Sequence, residues 1–385
     1  MIDGKRVVYA YNAFYQGRED FGPTSSWEIT WGNSLEHFFG PELVRFNPDA
    51  FGPDSNAESD AALLELVREH DTELLVMISH VGAGWTRAFI SKPTLAALRS
   101  QGIKVVSIWG DIQHASERVS VRALNPQVDL NVCTASSGAA ARLAGDNPVL
   151  YSWVPISDAK VEPCDCGAMV SLAGSLKLNR QRTVQYLQDH GVRVHAGGGE
   201  GTGALTREGY LRMLAHPMTL GFANTGFEAV TNARTFEALT QGAVLLEAWG
   251  TETAKILRPY DDYVPWHSHE DLLRKVTALT ADPDELARIS ANGQQVVSRF
   301  TDDALWNRVL NRIGLGTGAG EFAFVHPVDW TTYQGRGRWA ASLRDQALSE
   351  PRLDRSVTFT QRAWHKGIWE LGKAKRLAKK VLQRP

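Results

Sequence analysis

Short apolar runs recur along the chain, separated by stretches in which apolar residues return every three or four positions. The first pattern suits strands buried on both faces, and the second suits amphipathic helices. The runs predict strands at Lys5–Tyr11, Leu43–Phe46, Glu73–Ile78, Ile103–Trp109, Val128–Cys133 and Val149–Val154. Helices are predicted at Trp27–Phe39, Ser59–His70, Lys92–Gln101 and Ser136–Ala144, the last capped by serine. The alternation stops at Pro155–Gly167 (PISDAKVEPCDCG), which has two prolines and few apolar residues. It then restarts with strands at Met169–Leu172, Val192–His195 and Met218–Phe222 and helices at Arg180–His190 and Arg207–Ala215. Two more helices follow at Asp271–Leu279 and Asp284–Phe300, with Pro283 well placed at a helix start. Strands alternating with helices at this spacing predict parallel, doubly wound sheets.

The segment Asn232–Glu247 (NARTFEALTQGAVLLE) organises the second half. Phe236, Leu239 and Thr240 share a helical face, Gly242 suits a left-handed stop, and AVLLE reads as a buried strand. Arg234 and Glu237 lie near the helix start, where unpaired backbone N–H groups favour anions. A guanidinium and a carboxylate there suit a diphosphate and a ribose; they also suit an ordinary solvated helix face.

These readings give an α/β chain of two Rossmann-like domains facing a cleft. The boundaries are 1–157, a linker at 158–167, 168–315, and a carboxyl-terminal extension over 316–385. A chain of 385 residues is too long for one typical core, and its 43% hydrophobic and 22% charged residues are those of a globular protein. No apolar run is long enough to span a bilayer and residues 1–20 lack a signal-peptide core, so a cytoplasmic location is expected. Three cysteines fit a reducing compartment. Cys164 and Cys166 flank a single residue, and no second cysteine pair completes a four-ligand site, so they read as linker residues and no metal is expected. His267 and His269 precede a helix and read as capping or surface residues.

The net charge of −2 conceals an asymmetry, because Arg355–Pro385 holds nine Lys or Arg against one Glu. Within Arg362–Arg384, Trp364, Ile368, Leu371, Ala374, Leu377 and Val381 recur every three or four residues, with basic residues between them. Such a basic amphipathic helix fits a membrane surface, a nucleic acid, or a helix that crosses back to the first domain.

Four segments then carry a resemblance. VSLAGSLKLNR (Val170–Arg180), YLRMLAHPMTLGFANTG (Tyr210–Gly226), RTFEALTQGAVLLE (Arg234–Glu247), and HSHEDLLRKV with DELARISANGQQVVSRFT (Asp284–Thr301) stand in the order and spacing of one donor domain. Together they resemble the GT-B glycosyltransferases, in particular the CgeB-like, or spore-maturation-protein-like, group. LRSQGIKVVSIWGD (Leu98–Asp111) and VPISDAKVEP (Val154–Pro163) extend the similarity more weakly into the first half.

The resemblance implies transfer of a hexosyl or related sugar from a nucleotide-sugar donor to a hydroxyl-bearing acceptor on a glycan, lipid, protein or nucleic acid. It implies no cofactor and no metal, because fixed cations meet the charge of the leaving nucleotide. Glu237 matches the ribose-holding glutamate and Arg234 the basic residue near the phosphates. Gly174 and Ser175 match the close-approach loop, with Lys177 or Arg180 as a further clamp, and Asn224 and Thr235 complete the donor-binding set. The sequence departs from the pattern of many retaining enzymes, which have a second glutamate eight residues earlier, where this chain has Ala229. On the acceptor side, Asp111 directly follows a predicted strand and His114 lies three residues on; either suits a general base in an inverting reaction. Asp111 equally suits a helix cap. A sugar-nucleotide epimerase and a non-catalytic nucleotide-sugar-binding protein are the alternatives within this fold.

Overall fold

A computed structural model describes residues 6–11, 13, 28–51, 56–78, 90–110, 112, 115–134, 136–144, 148–156, 160–176, 178–198, 205–222, 230–248 and 251–318. The basic tail, the catalytic candidates Asp111 and His114, and the donor candidates Lys177 and Asn224 lie outside these residues.

Two parallel sheets organise the chain. Strands β1 (Val7–Ala10), β2 (Leu43–Phe46), β3 (Leu74–Ile78), β4 (Lys104–Trp109), β5 (Leu130–Cys133) and β6 (Val149–Tyr151) form a six-stranded sheet in the order β2-β1-β3-β4-β5-β6. Strands β7 (Val170–Ala173), β8 (Val194–Gly197), β9 (Met218–Gly221), β10 (Val244–Ala248) and β11 (Val264–Trp266) form a five-stranded sheet in the order β11-β10-β9-β7-β8. In register, Val7 pairs with both Leu43 and Leu74, and Val170 with both Val194 and Met218. All residues of β3, β7 and β10 are buried, as continuous apolar runs in a covered parallel sheet require. The strand order reverses between β1 and β3 and between β7 and β9. At such a reversal the adjoining loops diverge and leave a crevice beyond the carboxyl ends of the strands.

Helices cover the sheets: α1 (Asn33–Phe39), α2 (Asn56–Glu69), α3 (Lys92–Ser100), α4 (Ala115–Leu124) and α5 (Ser137–Ala144) in the first half. In the second half are α6 (Leu178–Asp189), α7 (Arg207–Leu214), α8 (Ala233–Gln241), α9 (His269–Thr280), α10 (Pro283–Val297) and α11 (Asp302–Arg312). Gly242 ends α8 at φ +89°, the left-handed conformation expected of it, and Pro283 begins α10. Helices α4 and α11 and strand β11 lie outside the sequence reading. Helix α4 buries Val121 and Leu124, and β11 contains Pro265, which argues against a strand except at a sheet edge, where β11 lies.

The two halves are fastened by buried contacts. Helix α11 leaves the second sheet and packs on α1. There the Trp306 indole donates to Ser34 Oγ at 2.9 Å and meets Trp31 edge-on, with ring centroids 5.9 Å apart. Arg308 lies over the Trp153 ring and donates to Ser152 Oγ at 3.2 Å. Among the described residues α11 returns to the first sheet, and the tail, for which the sequence reading offered that option, lies outside them. Glu252, on the loop after β10, crosses in the same direction. Its carboxylate accepts from the backbone N–H and hydroxyl of Ser137 (2.8 and 2.9 Å) and from the Tyr151 hydroxyl (3.1 Å), at the amino terminus of α5. This is an anion at the positive end of a helix dipole, supplied by the other half of the chain. Among the described residues no helix is long and apolar enough to cross a membrane.

Glu252 is 2% exposed, so truncation strands several donors at once. Glu252→Ala is expected to lower folding stability by about 2–3 kcal/mol. Urea unfolding followed by tryptophan fluorescence checks this, and a loss below about 0.5 kcal/mol contradicts the role assigned to the carboxylate.

Candidate nucleotide-sugar site

The crevice between β7 and β9 is where the sequence-predicted donor residues meet. Strand β7 ends at Gly174, which has φ +127°, a conformation that side chains rarely adopt. Its N–H donates to Gly197 O at 2.6 Å, which ties the turn to the end of β8. A Cβ at position 174 would lie 2.8 Å from Arg234 Nη2 and 3.4 Å from Arg180 Nη1. Only glycine leaves both guanidinium groups room beside the backbone.

Arg180 projects from the first turn of α6. It donates to Ser175 O at 3.2 Å and rests over the Phe222 ring, 5.7 Å from its centroid. Burial, then the neighbouring Arg234 cation, lowers its pKa from 12.5 to about 10, against a smaller opposing pull from Glu247. The group is still charged at neutral pH, so the folded protein holds this cation at a cost that the unfolded chain lacks. That cost is present below about pH 10 and fades as the group loses its proton above it.

Arg234 follows the cap of α8, where Asn232 Oδ1 accepts from Thr235 N at 3.2 Å. Its Nε and Nη1 are buried and have no hydrogen-bond partner among the described residues. Thr235 is 1% exposed, and its hydroxyl is likewise buried without a partner there. Buried donors in that state normally mark a missing ligand, ion or water.

Glu237 differs from its expected role as an open acceptor. It is 2% exposed, and both of its oxygens are engaged: Arg207 Nη1 donates to one at 2.8 Å and Tyr210 Oη to the other at 2.7 Å. Burial and the Glu237 carboxylate push the Tyr210 phenol up, which keeps it protonated as a donor. A ribose would have to share the remaining lone pairs with these two residues. Arg207 and Tyr210 stand one turn apart on α7 after the Thr206 cap, and neither was singled out in the sequence. An Arg and a Tyr at that spacing on one helix face were the available signal. Arg207 Nε and Nη2 are also buried without a partner among the described residues, adding further donors beside the same carboxylate.

The structure thus brings Gly174, Ser175, Arg180 and Arg234 together, while Thr235 and Glu237 lie buried on α8 beside Arg234 in the chain. It also places His195 and His216 beside Cys164 and Cys166, with the ring nitrogens and the two sulfurs all within 4.8 Å of one another. Elsewhere, His269 is a helix-start residue that meets Thr183 Oγ1 at 3.1 Å, and His267 donates its N–H to Asp271.

Comparison with known proteins now adds to this geometry. Residues 180–311, a third of the chain, match the sequence model of a family described as glycosyl transferase-like. Among curated proteins none matches the chain. HepE from Anabaena, solved with UDP and glucose, is similar at 12% identity and a TM-score of 0.57, over 81% of this chain and 100% of HepE. Sucrose-phosphate synthase from Thermosynechococcus elongatus is similar at 12% identity and a TM-score of 0.55, over 80% of this chain and 98% of that protein. The two sheets with their helices thus form the GT-B fold.

Two outcomes follow from the site. Arg180→Gln is expected to raise the stability of the ligand-free protein by about 1 kcal/mol, since it removes a desolvated cation, while reducing any stabilisation by nucleotide. Parallel melting curves with and without nucleoside diphosphate read both effects. Glu237→Ala is expected to cost the ligand-free protein about 3 kcal/mol, because the Arg207 charge loses its buried partner. Urea denaturation measures that loss, and an unchanged midpoint contradicts it.

Proposed function

We propose that the protein is a GT-B glycosyltransferase that takes a sugar from a nucleotide donor held between β7, β9 and α8. The observation that carries this reading is the pairing of Arg180 and Arg234 around Gly174. Two poorly compensated guanidinium groups flank a side-chain-free turn at the strand-order reversal. A diphosphate supplies the missing negative charge, and its bulk fits where only glycine can stand. The same cations stabilise the leaving nucleotide as charge develops on it, so transfer proceeds without a metal.

The glycosyl transferase-like match over residues 180–311 includes Arg180 and Arg234 and begins just after Gly174. HepE, which shares the fold, has been solved with UDP-glucose, making uridine diphosphate sugars the first donors to test. Within the fold, the four motif segments favour the CgeB-like group. Asp111 follows β4 by two residues in the chain, and we assign it, with His114 as the second candidate, as the base that takes the acceptor hydroxyl proton in an inverting displacement. Cytoplasmic action on a hydroxyl-bearing acceptor completes the reading.

Thermal-shift measurements on the full chain with UDP-, GDP-, ADP-, CMP- and dTDP-sugars test the donor assignment, because a ligand specific to the folded state raises the melting temperature. One nucleotide class is expected to give a clear shift. Arg234→Ala is expected to weaken that nucleotide roughly 10- to 100-fold, the range for losing a charge-assisted hydrogen bond. Equal affinity in wild type and variant contradicts the diphosphate assignment. Conversion of the donor into a second sugar nucleotide without any acceptor would instead favour an epimerase.

A further inference from the structure

The four side chains Cys164, Cys166, His195 and His216 belong to no part of the nucleotide site, yet they converge on one point. Cys164 Sγ lies 3.1 Å from His195 Nδ1 and 3.2 Å from His216 Nε2. Cys166 Sγ lies 3.0 Å from Cys164 Sγ and 3.7 Å from His216 Nε2, and the two ring nitrogens are 3.0 Å apart. A disulfide requires sulfurs about 2.05 Å apart, so the cysteines are free thiols. Tetrahedral zinc, with bonds of about 2.3 Å to sulfur and 2.0–2.1 Å to nitrogen, spaces its ligand atoms roughly 3.3–3.8 Å apart. The observed separations need only small side-chain adjustments to reach that arrangement.

The second ring nitrogen of His216 fixes the chemistry of the first. Nδ1 lies 3.1 Å from Ala168 O, and a carbonyl only accepts, so Nδ1 carries the proton. Nε2 is then left with its lone pair aimed at the cluster, the tautomer and the carbonyl hydrogen bond typical of a metal-bound imidazole. His216 is 2% exposed, which holds the ring in that orientation. Without a metal, a His195 Nδ1–H that donates to His216 Nε2 leaves neither ring nitrogen free to accept from the two thiols.

We propose that Cys164, Cys166, His195 and His216 form a structural zinc site that pins the interdomain linker to the second sheet. Two thiolates and two neutral imidazoles neutralise one divalent cation. Binding releases the two thiol protons, and the set favours zinc over harder divalent metals. Four protein ligands leave no open position for a substrate or a reactive water.

Placement supports the same role. The cysteines lie on the segment leading into β7, His195 is the second residue of β8, and His216 lies two residues before β9. The site therefore lies at the amino ends of three adjacent strands, and Gly174 lies beyond their carboxyl ends. A metal there fixes the chain as it enters the second sheet and stands away from the proposed transfer chemistry.

Elemental analysis of the full chain, purified without chelators, is the first test, and about one zinc per chain is expected. His216→Ala, and separately Cys164→Ser with Cys166→Ser, are expected to cut zinc content at least tenfold. Undiminished zinc in both variants would mean adventitious binding and overturn the proposal, as would a wild-type protein with less than about a tenth of a zinc per chain. Because a variant can fail through misfolding, a second measurement uses the wild-type chain. Zinc is replaced by cobalt(II) under reducing conditions, and the expected spectrum has the intense visible bands of tetrahedral cobalt with thiolate charge transfer. A weak octahedral spectrum overturns the site. Thiol titration of the metal-stripped, denatured chain is expected to find all three cysteines reactive, and a single reactive thiol would show a disulfide in place of a metal.

Discussion

A guanidinium withdrawn from water must find an anion or hold its charge at a cost, and the second half of this protein sets two side by side, with Glu247 as a partial counter-charge to Arg180. Arg180 is half-buried against Phe222 beside the cation of Arg234. Arg234 has two buried nitrogens with no partner among the described residues. Glu237, the carboxylate nearest in sequence, is committed to Arg207 and Tyr210. The protein balances its buried charge elsewhere: Asp262 meets Arg258 at 2.7 Å, and Asp271 meets the buried Lys275 at the same distance. Against those pairs, the imbalance at Gly174 is a local property of the crevice, and it is what a diphosphate corrects.

Such a site is useful only if the framework holds its position. Gly174 is fixed through its bond to Gly197, and α8 is fixed at one end by the Asn232 cap and at the other by Gly242. The two sheets are in turn joined by Glu252 at the start of α5 and by α11 on α1. These ties run from the segment after β10 and from the last described helix. Lys160 and Val161 of the linker meet Gln294 and Gln241, and the cysteine–histidine cluster lies just beyond them in the chain.

Much of this was legible in the sequence because parallel sheets write themselves as continuous apolar runs. The runs at Leu43–Phe46 and Glu73–Ile78 became β2 and β3 almost residue for residue, and Gly242 stopped α8 as its chemistry demands. Local periodicity could not show what depends on distant partners. Arg207 and Tyr210 come from another helix than Glu237, so the burial of that carboxylate was invisible from its own segment. Cys164 and His216 are 52 residues apart, and only the side-by-side order of β8, β7 and β9 brings them together. β11 escaped notice because Pro265 is a poor strand residue except at an edge.

The central claim is that Arg180 and Arg234 flank a diphosphate over Gly174. The most direct measurement is a crystal structure of the protein with the nucleoside diphosphate that most raises its melting temperature. The account predicts phosphate oxygens within hydrogen-bond distance of both guanidinium groups, about 2.7–3.2 Å, with the pyrophosphate against the Gly174 backbone. A nucleotide bound elsewhere, with Arg180 and Arg234 still facing each other across the crevice, would contradict it.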